Sequence, residues 1–246
     1  MNPEPVKAIA VEDIPMVQKG DDIADLILER VNLLERDIIV IASKIVSKSE
    51  GRVVKAEDVE ISTKARELAD TNGFDPVHVE LALREAKEII RDHGVLITET
   101  KSGLVCNFSG VDKSNAPDAE YVLLPEDPDD SASRIRNRLV GVSGLDLAVI
   151  ISDTHGRPWR KGSINIAIGC SGINALKHNA GKKDLHGRVL KRSTVCQIDE
   201  IAAYVEPLMG QANEGIPAVI VRGYDYDDGD DRASDIIRSR EEDMFR

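Results

Sequence analysis

The sequence predicts an α+β fold, a mixed sheet with packed helices, on three observations. Short apolar runs bounded by polar or turn residues recur at 38–42, 95–98, 147–151, 164–168 and 218–221, and read as strands of a largely buried sheet. Helices are marked by the spacing of their apolar residues rather than by composition. Strands and helices do not alternate regularly, which argues against a doubly wound parallel sheet.

In chain order, short helices fit 22–31 and 62–69. Val79, Leu83, Ala86 and Ile90 then form one stripe behind Asp75-Pro76, an N-cap followed by proline at the first helical position, and Gly94 stops that helix. A strand-like run covers 105–108 and a helix fits 131–139. Thr194 with Gln197 three residues on makes a capping box for a helix that turns Ile198, Ile201, Val205 and Leu208 inward until Pro207 and Gly210 end it. A last helix fits 232–243. Neither repeats nor a linker divide the chain, so a single module over 1–246 is expected, which two intimately packed subdomains could make up.

The chain has 246 residues, 41% apolar and 31% charged, with no run near the ~18 apolar residues of a membrane span. Met1-Asn2-Pro3-Glu4-Pro5 lacks the basic-then-apolar order of a secretory signal, so a cytoplasmic protein without a membrane partner is expected. Cys106, Cys170 and Cys196 are odd in number and far apart, which suits buried filler better than a disulfide framework. Aromatics at 3% supply little for stacking nucleic-acid bases, and no nucleic-acid partner is expected. Net charge is −12, yet residues 157–192 hold nine Lys/Arg against Asp184 alone. Such a basic segment in an acidic chain suits a compact anion, a solvated loop being the plainer alternative.

Walker A and G-x-G-x-x-G phosphate cradles are absent, and the two Gly-x-Ser-Gly stretches at 141–144 and 169–172 lack a residue of the nucleophile elbow. No H-E-x-x-H pair occurs, and the acidic run at 225–229 places its glycine one position too early for an EF-hand. What remains are polar loops directly after apolar strands, at 152–157 and 109–115, each delivering an aspartate at a strand end, Asp153 and Asp112. A carboxylate held rigidly at a strand end suits a hard cation whose shell phosphate and water complete, though Asp beside Gly also organises simple turns. Lys48 follows the first central strand and is placed to meet a phosphate or to lie along the surface. The loop 209–217 carries two glycines, either for a close backbone approach to a ligand or as a helix cap and a turn.

Six segments in order carry a family resemblance: Ile14-Pro15-Met16-Val17 with Gly20-Asp21-Asp22; Ser43-Lys44-Ile45-Val46-Ser47-Lys48-Ser49-Glu50-Gly51-Arg52; Gly110-Val111-Asp112-Lys113-Ser114-Asn115; Ile151-Ser152-Asp153-Thr154-His155-Gly156-Arg157; Asp199-Glu200-Ile201-Ala202; and Met209-Gly210. The chain resembles the coenzyme F420-0:L-glutamate ligases. The resemblance implies a GTP-dependent ligase that joins L-glutamate to the phospholactyl carboxylate of the deazaflavin precursor coenzyme F420-0, then adds further γ-linked glutamate. It implies GTP contacts at Ile14, Pro15, Met16, Val17, Ser43, Lys44, Lys48, Asn115, Met209, Gly210, Gln211, Ala212, Asn213, Glu214, Gly215 and Ile216. It implies Mg²⁺ or Mn²⁺ on Asp112, Asp153, Thr154 and Gln211, assistance from K⁺, and an intertwined homodimer without the C-terminal reductase domain of fused members.

The missing triad suits such a ligase, because the substrate carboxylate is itself the nucleophile toward the γ-phosphate. Gln211 departs from the acidic residue expected there, since an amide offers a metal only a neutral oxygen. The alternative is a non-catalytic GTP- and metal-binding sensor of the same fold, which would need the same nucleotide residues.

Overall fold

Strands apolar at every position need cover on both faces. The computed structural model describes residues 5–114 and 120–245. The chain begins β1 (Lys7–Ala10), α1 (Ile23–Leu28), β2 (Ile38–Ala42), α2 (Ser43–Ser49) and β3 (Val53–Lys55). It continues with α3 (Thr63–Asn72), α4 (Pro76–Glu85), β4 (Ala86–Arg91), β5 (Ile97–Thr100), β6 (Val105–Asn107) and β7 (Glu120–Val122). Then come α5 (Pro128–Ser143), β8 (Ala148–His155), β9 (Ile164–Ser171), β10 (Leu176–His178), β11 (Thr194–Cys196), α6 (Gln197–Met209) and β12 (Ala218–Arg222).

The central sheet has the order β1-β12-β2-β8-β9. Only β2 and β8 run parallel; the other pairs are antiparallel. Alternate residues of each strand enter opposite cores. Ile38, Val40, Ile150 and Val219 pack with Ile198, Ile201 and Val205 of α6, while Ile39, Ile41, Val149 and Ile220 pack with Ile23 and Ile27 of α1 and Leu139 of α5. Each fully buried isoleucine contributes roughly 1.5–3 kcal/mol, so the runs read from sequence are the main stabilising element. Between α2 and α5 the chain builds a second lobe from α3, α4, the β3–β7 ribbon and the sheet β4-β5-β6, with small cores around Val59, Leu81 and Tyr121 and around Ala65, Val79 and Leu96. Among the described residues no helix is long and apolar enough to cross a membrane.

The expected α+β class with a mixed sheet holds, and β2 spans the residues expected of it. Four local expectations do not hold. The helix expected to run on to Gly94 ends at Glu85, and Ala86–Arg91 turns into strand β4, whose pairing with β5 and the Lys87–Glu99 ion pair at 2.7 Å outweigh the helical spacing. The capping box does not form: Thr194 pairs with His178 in the β10–β11 hairpin, and α6 starts at Gln197. Gln197 is buried, its side-chain amide donating to Asn174 and Asp227 carbonyls at 2.6 and 3.2 Å. The helix at 232–243 reduces to one 3₁₀ turn, Ala233–Ile236, whose first amides, of Ala233 and Ser234, donate to Asp129. The polar stretch after Ile151 is strand through His155.

Asp75 caps α4 by accepting the Val77 amide at 2.9 Å, and also accepts the Lys113 ammonium and, at 2.5 Å, the Tyr121 hydroxyl. Burial pushes its carboxyl up, but these donors and the Lys113 charge together hold it at about 2. A depressed carboxyl contributes stability that is present above its unfolded pKa and lost as pH falls through the folded one, here between about 4 and about 2. Asp75→Asn keeps a capping oxygen and should cost about 1 kcal/mol at neutral pH, with half-exposed Lys113 limiting the figure. Urea midpoints of the two proteins should converge as pH falls through that window; a constant gap would mean the charge is not the stabilising feature.

Candidate functional site

Ligands in sheets of this kind bind beyond the carboxyl ends of parallel strands. β2 and β8 are the parallel pair, with Ala42 opposite Ser152, and a cavity of about 850 Å³ opens past their ends. Its floor is the start of α2 and the end of β8. The second lobe supplies one wall around Asp112, and the loop after α6 supplies another.

On β8 a register shift after Ile151, a β-bulge against β9, precedes the polar end of the strand. Asp153 accepts the Ser43 hydroxyl at 2.5 Å. Burial drives its carboxyl up, to about 6, and the Asp112 charge adds to the rise while Ser43 opposes it. The Thr154 hydroxyl, on the other face, reaches Gln211 Oε1 at 2.9 Å and Asn165 Oδ1 at 3.1 Å. The Gln211 amide nitrogen donates to Glu206 at 3.0 Å and to Asn165 at 3.3 Å, so its oxygen is the atom left toward Thr154.

Asp112 is delivered by a tight turn. Phe108, Ser109 and Gly110 are consecutive left-handed residues with φ of 47°, 52° and 71°. Two non-glycine residues there cost about 1 kcal/mol or more each. Ser109 is held by its hydroxyl to the Ala82 carbonyl at 2.7 Å and its amide to Thr98 at 2.9 Å, while His78 stacks on Phe108 with centroids 4.2 Å apart. Gly110 is required, since a Cβ would lie 2.5 Å from Leu124. Asp112 accepts the Ser114 amide at 2.7 Å, the Asx turn that such a residue can form, and also the Lys44 ammonium at 2.6 Å. Burial raises its carboxyl, but Lys44 and Ser114 hold it below the ordinary value. Lys48 lies one helical turn after Lys44; burial, then the Lys44 charge, lower its ammonium against the pull of Glu120.

The loop 209–217 bends at Gly210, φ 68°, where a Cβ would meet the Glu214 carboxyl at 2.1 Å; Glu214 in turn accepts the Ala212 amide at 2.9 Å. Ile14, Pro15, Met16 and Val17 form the opposite rim. The structure thus brings all the residues singled out for nucleotide and metal to one cavity, apart from Asn115, which lies outside the described residues. Sequence reasoning missed Asn165, a lone polar residue in an apolar strand and the link between Thr154 and Gln211, and Glu206, which carried no signal beyond being charged. The cysteines take no part: burial pushes Cys106 and Cys196 up to about 12 and raises Cys170 further, and all three thiols are free.

A family model described as F420-0:Gamma-glutamyl ligase matches residues 12–223. Curated relatives named "Coenzyme F420:L-glutamate ligase" include one from Methanothermobacter thermautotrophicus, 44% identical over 98% of this chain and 99% of its own length. The relative from Methanopyrus kandleri is 45% identical over 97% and 98%, and that from Archaeoglobus fulgidus 41% over 98% and 96%. With agreement of that extent across nearly the whole length of both partners, the chain belongs to the F420-0:γ-glutamyl ligase family.

Proposed function

We propose that the protein ligates L-glutamate to coenzyme F420-0 and then adds further γ-linked glutamate, driven by GTP. The observation that carries this reading is the meeting, in one cavity, of two carboxylates, two lysines and a glycine-hinged loop. In the reaction the precursor's carboxylate oxygen attacks the γ-phosphorus and GDP departs with the electrons of the broken P–O bond. Glutamate's amine then attacks the acyl carbon, releasing inorganic phosphate and a proton. No enzyme nucleophile is required, and catalysis consists of positioning and charge neutralisation.

Lys44 and Lys48 meet the phosphates, the loop Met209, Gly210, Gln211, Ala212, Asn213, Glu214, Gly215 and Ile216 brings its backbone close to the nucleotide, and Ile14, Pro15, Met16 and Val17 form the apolar rim. Among the described residues no three His, Cys, Asp or Glu side chains form a metal cage. A Mg²⁺-type ion needs only one or two carboxylates when phosphate and water fill its shell, and Asp112 and Asp153 fit that need: both line the cavity, and the Asp112 charge adds to the rise of the Asp153 carboxyl, a strain that a cation would relieve. Asp112, Asp153, Thr154 and the Gln211 oxygen would hold Mg²⁺ or Mn²⁺, whose chemistry when bound is to neutralise phosphate charge. A potassium ion and a homodimer belong to the same proposal, as does a cytoplasmic setting.

GTP with Mn²⁺ should stabilise the fold, by about 2.7 kcal/mol at one hundred times its dissociation constant, and ATP should do less. A melting temperature indifferent to millimolar GTP and Mn²⁺ would falsify the nucleotide assignment. Mass spectrometry after incubation with GTP, Mn²⁺, L-glutamate and coenzyme F420-0 should find glutamyl products; binding without product would instead favour a sensor.

Asp153→Asn should lower kcat at least a hundredfold with the chain still folded, since the amide keeps the shape and removes the charge. Lys48→Ala should chiefly raise KM for GTP. Near-normal ligation by Asp153→Asn across a metal titration would make that aspartate structural.

Gln211→Glu should lower the Mn²⁺ concentration giving half-maximal rate, and Gln211→Ala should raise it, because a carboxylate binds the ion where an amide offers a neutral oxygen. Superimposable metal curves for the three proteins would remove Gln211 from the metal site.

A further inference from the structure

The nine basic residues of 157–192 are not in one place. Six of them sit on or within the β10–β11 hairpin, which leaves β9 at Ser171, the end of the sheet away from the cavity. Arg157, Arg160 and Lys161 sit instead on the turn joining β8 to β9, which follows the strand ends that line the cavity. Thr154 and Asn165, both lining the cavity, are cross-strand partners, and His155 opposite Ile164 is the last pair before the turn.

Arg157 is committed to the turn itself: its guanidinium donates to the Gly162 carbonyl at 3.0 Å and the Lys161 carbonyl at 2.7 Å. That cross-brace holds the turn in one shape. Arg160 and Lys161 have no hydrogen-bond or ion-pair partner for their side chains among the described residues and are exposed. Between Arg157 and Arg160 stands Trp159, the single tryptophan of the chain, 75% exposed, with the Phe245 ring tilted against it at 5.3 Å. A braced turn that displays an indole beside two free cations matches a ligand that is a planar ring at one end and anionic next to it. Trp159 is five residues from Thr154, so it lies within about 18 Å of the cavity's polar end.

Resting on the ligase reading above, we propose that the β8–β9 turn, residues 156–163, is the docking subsite for the acid substrate. The deazaflavin ring stacks on Trp159, and the phosphodiester is met by Arg160 and Lys161. The carboxylate is then left to enter the cavity beside Asp153 and Thr154. The subsite recognises the substrate's non-reacting end, so it sets affinity for that substrate and leaves the nucleotide untouched.

The test uses the intact protein. Titrating wild type with coenzyme F420-0 in the absence of GTP should quench the single tryptophan's emission saturably, a readout that requires no turnover. In steady state, Trp159→Ala should raise KM for coenzyme F420-0 about tenfold, equivalent to about 1.4 kcal/mol, with KM for GTP and L-glutamate unmoved. Trp159→Phe should recover most of the loss, and the paired change Arg160→Ala and Lys161→Ala should raise the same KM and flatten its dependence on salt. Absence of quenching together with an unchanged KM in Trp159→Ala overturns the subsite. So does a change of oligomeric state on size exclusion in which all three KM values move together, since the turn would then be an interface between copies. Failure of the wild type to ligate, with quenching intact, overturns the ligase reading and leaves the subsite standing.

Discussion

A single ammonium joins the two halves of the cavity. Lys44 Nζ, on the first turn of α2, donates to Asp112, to the Ser114 hydroxyl and to the Ser114 carbonyl at 2.6, 2.7 and 2.9 Å, across some seventy residues of chain. The Lys44 and Asp112 side chains are partly exposed, so the pair adds about 1 kcal/mol or less to stability. Its importance is positional. It fixes where the second lobe's turn stands relative to the ends of β2 and β8, and so fixes the separation of the two carboxylates. It also sets a competition, because the charge that now satisfies Asp112 is of the kind that a nucleotide's phosphates would draw away.

The framework around that contact is braced from the opposite side by Asp129. This buried carboxylate accepts the Cys170 and Ala233 amides, the Ser234 amide and the Ser234 hydroxyl. Four donors offset the cost of burying it and tie the start of α5 to β9 and to the segment after β12. The fit is close enough that Gly169 admits no side chain, an added Cβ falling 2.3 Å from the Pro128 carbonyl. Because β9 is held here at its far end, the β8–β9 turn at its near end projects from a fixed base.

How much of this could be read from the residues depends on the range of the forces involved. The isoleucine and valine runs of β2, β8 and β12 were legible because burial on both faces leaves no polar position to confuse them. Asp75 was legible as a cap and the helix expected from 62 begins under the Ser62 hydroxyl, whereas α5, expected from 131, starts earlier, at Pro128 under Asp127. Strand β4 was not legible: Ala86 and Ile90 continue a helical stripe, and only pairing with β5 decides otherwise. Thr194 failed as a cap for the same reason, a long-range partner taking it first. Within the site, Asp112, Asp153 and Lys48 could be singled out by type and place, whereas Glu206 acts only through Gln211, and nothing local announces that contact.

The strand order also bears on when the molecule can be completed. β12 lies between β1 and β2, so among the described residues β1 is joined to the rest of the sheet only through a strand some two hundred residues further along the chain. At about 5–20 residues per second on the ribosome, β1 waits roughly 10–40 s for that partner. During that interval β2 also presents an unpaired edge, and the cavity lacks the loop that precedes β12. Until β12 is made, the nascent chain therefore remains open at the centre of the sheet.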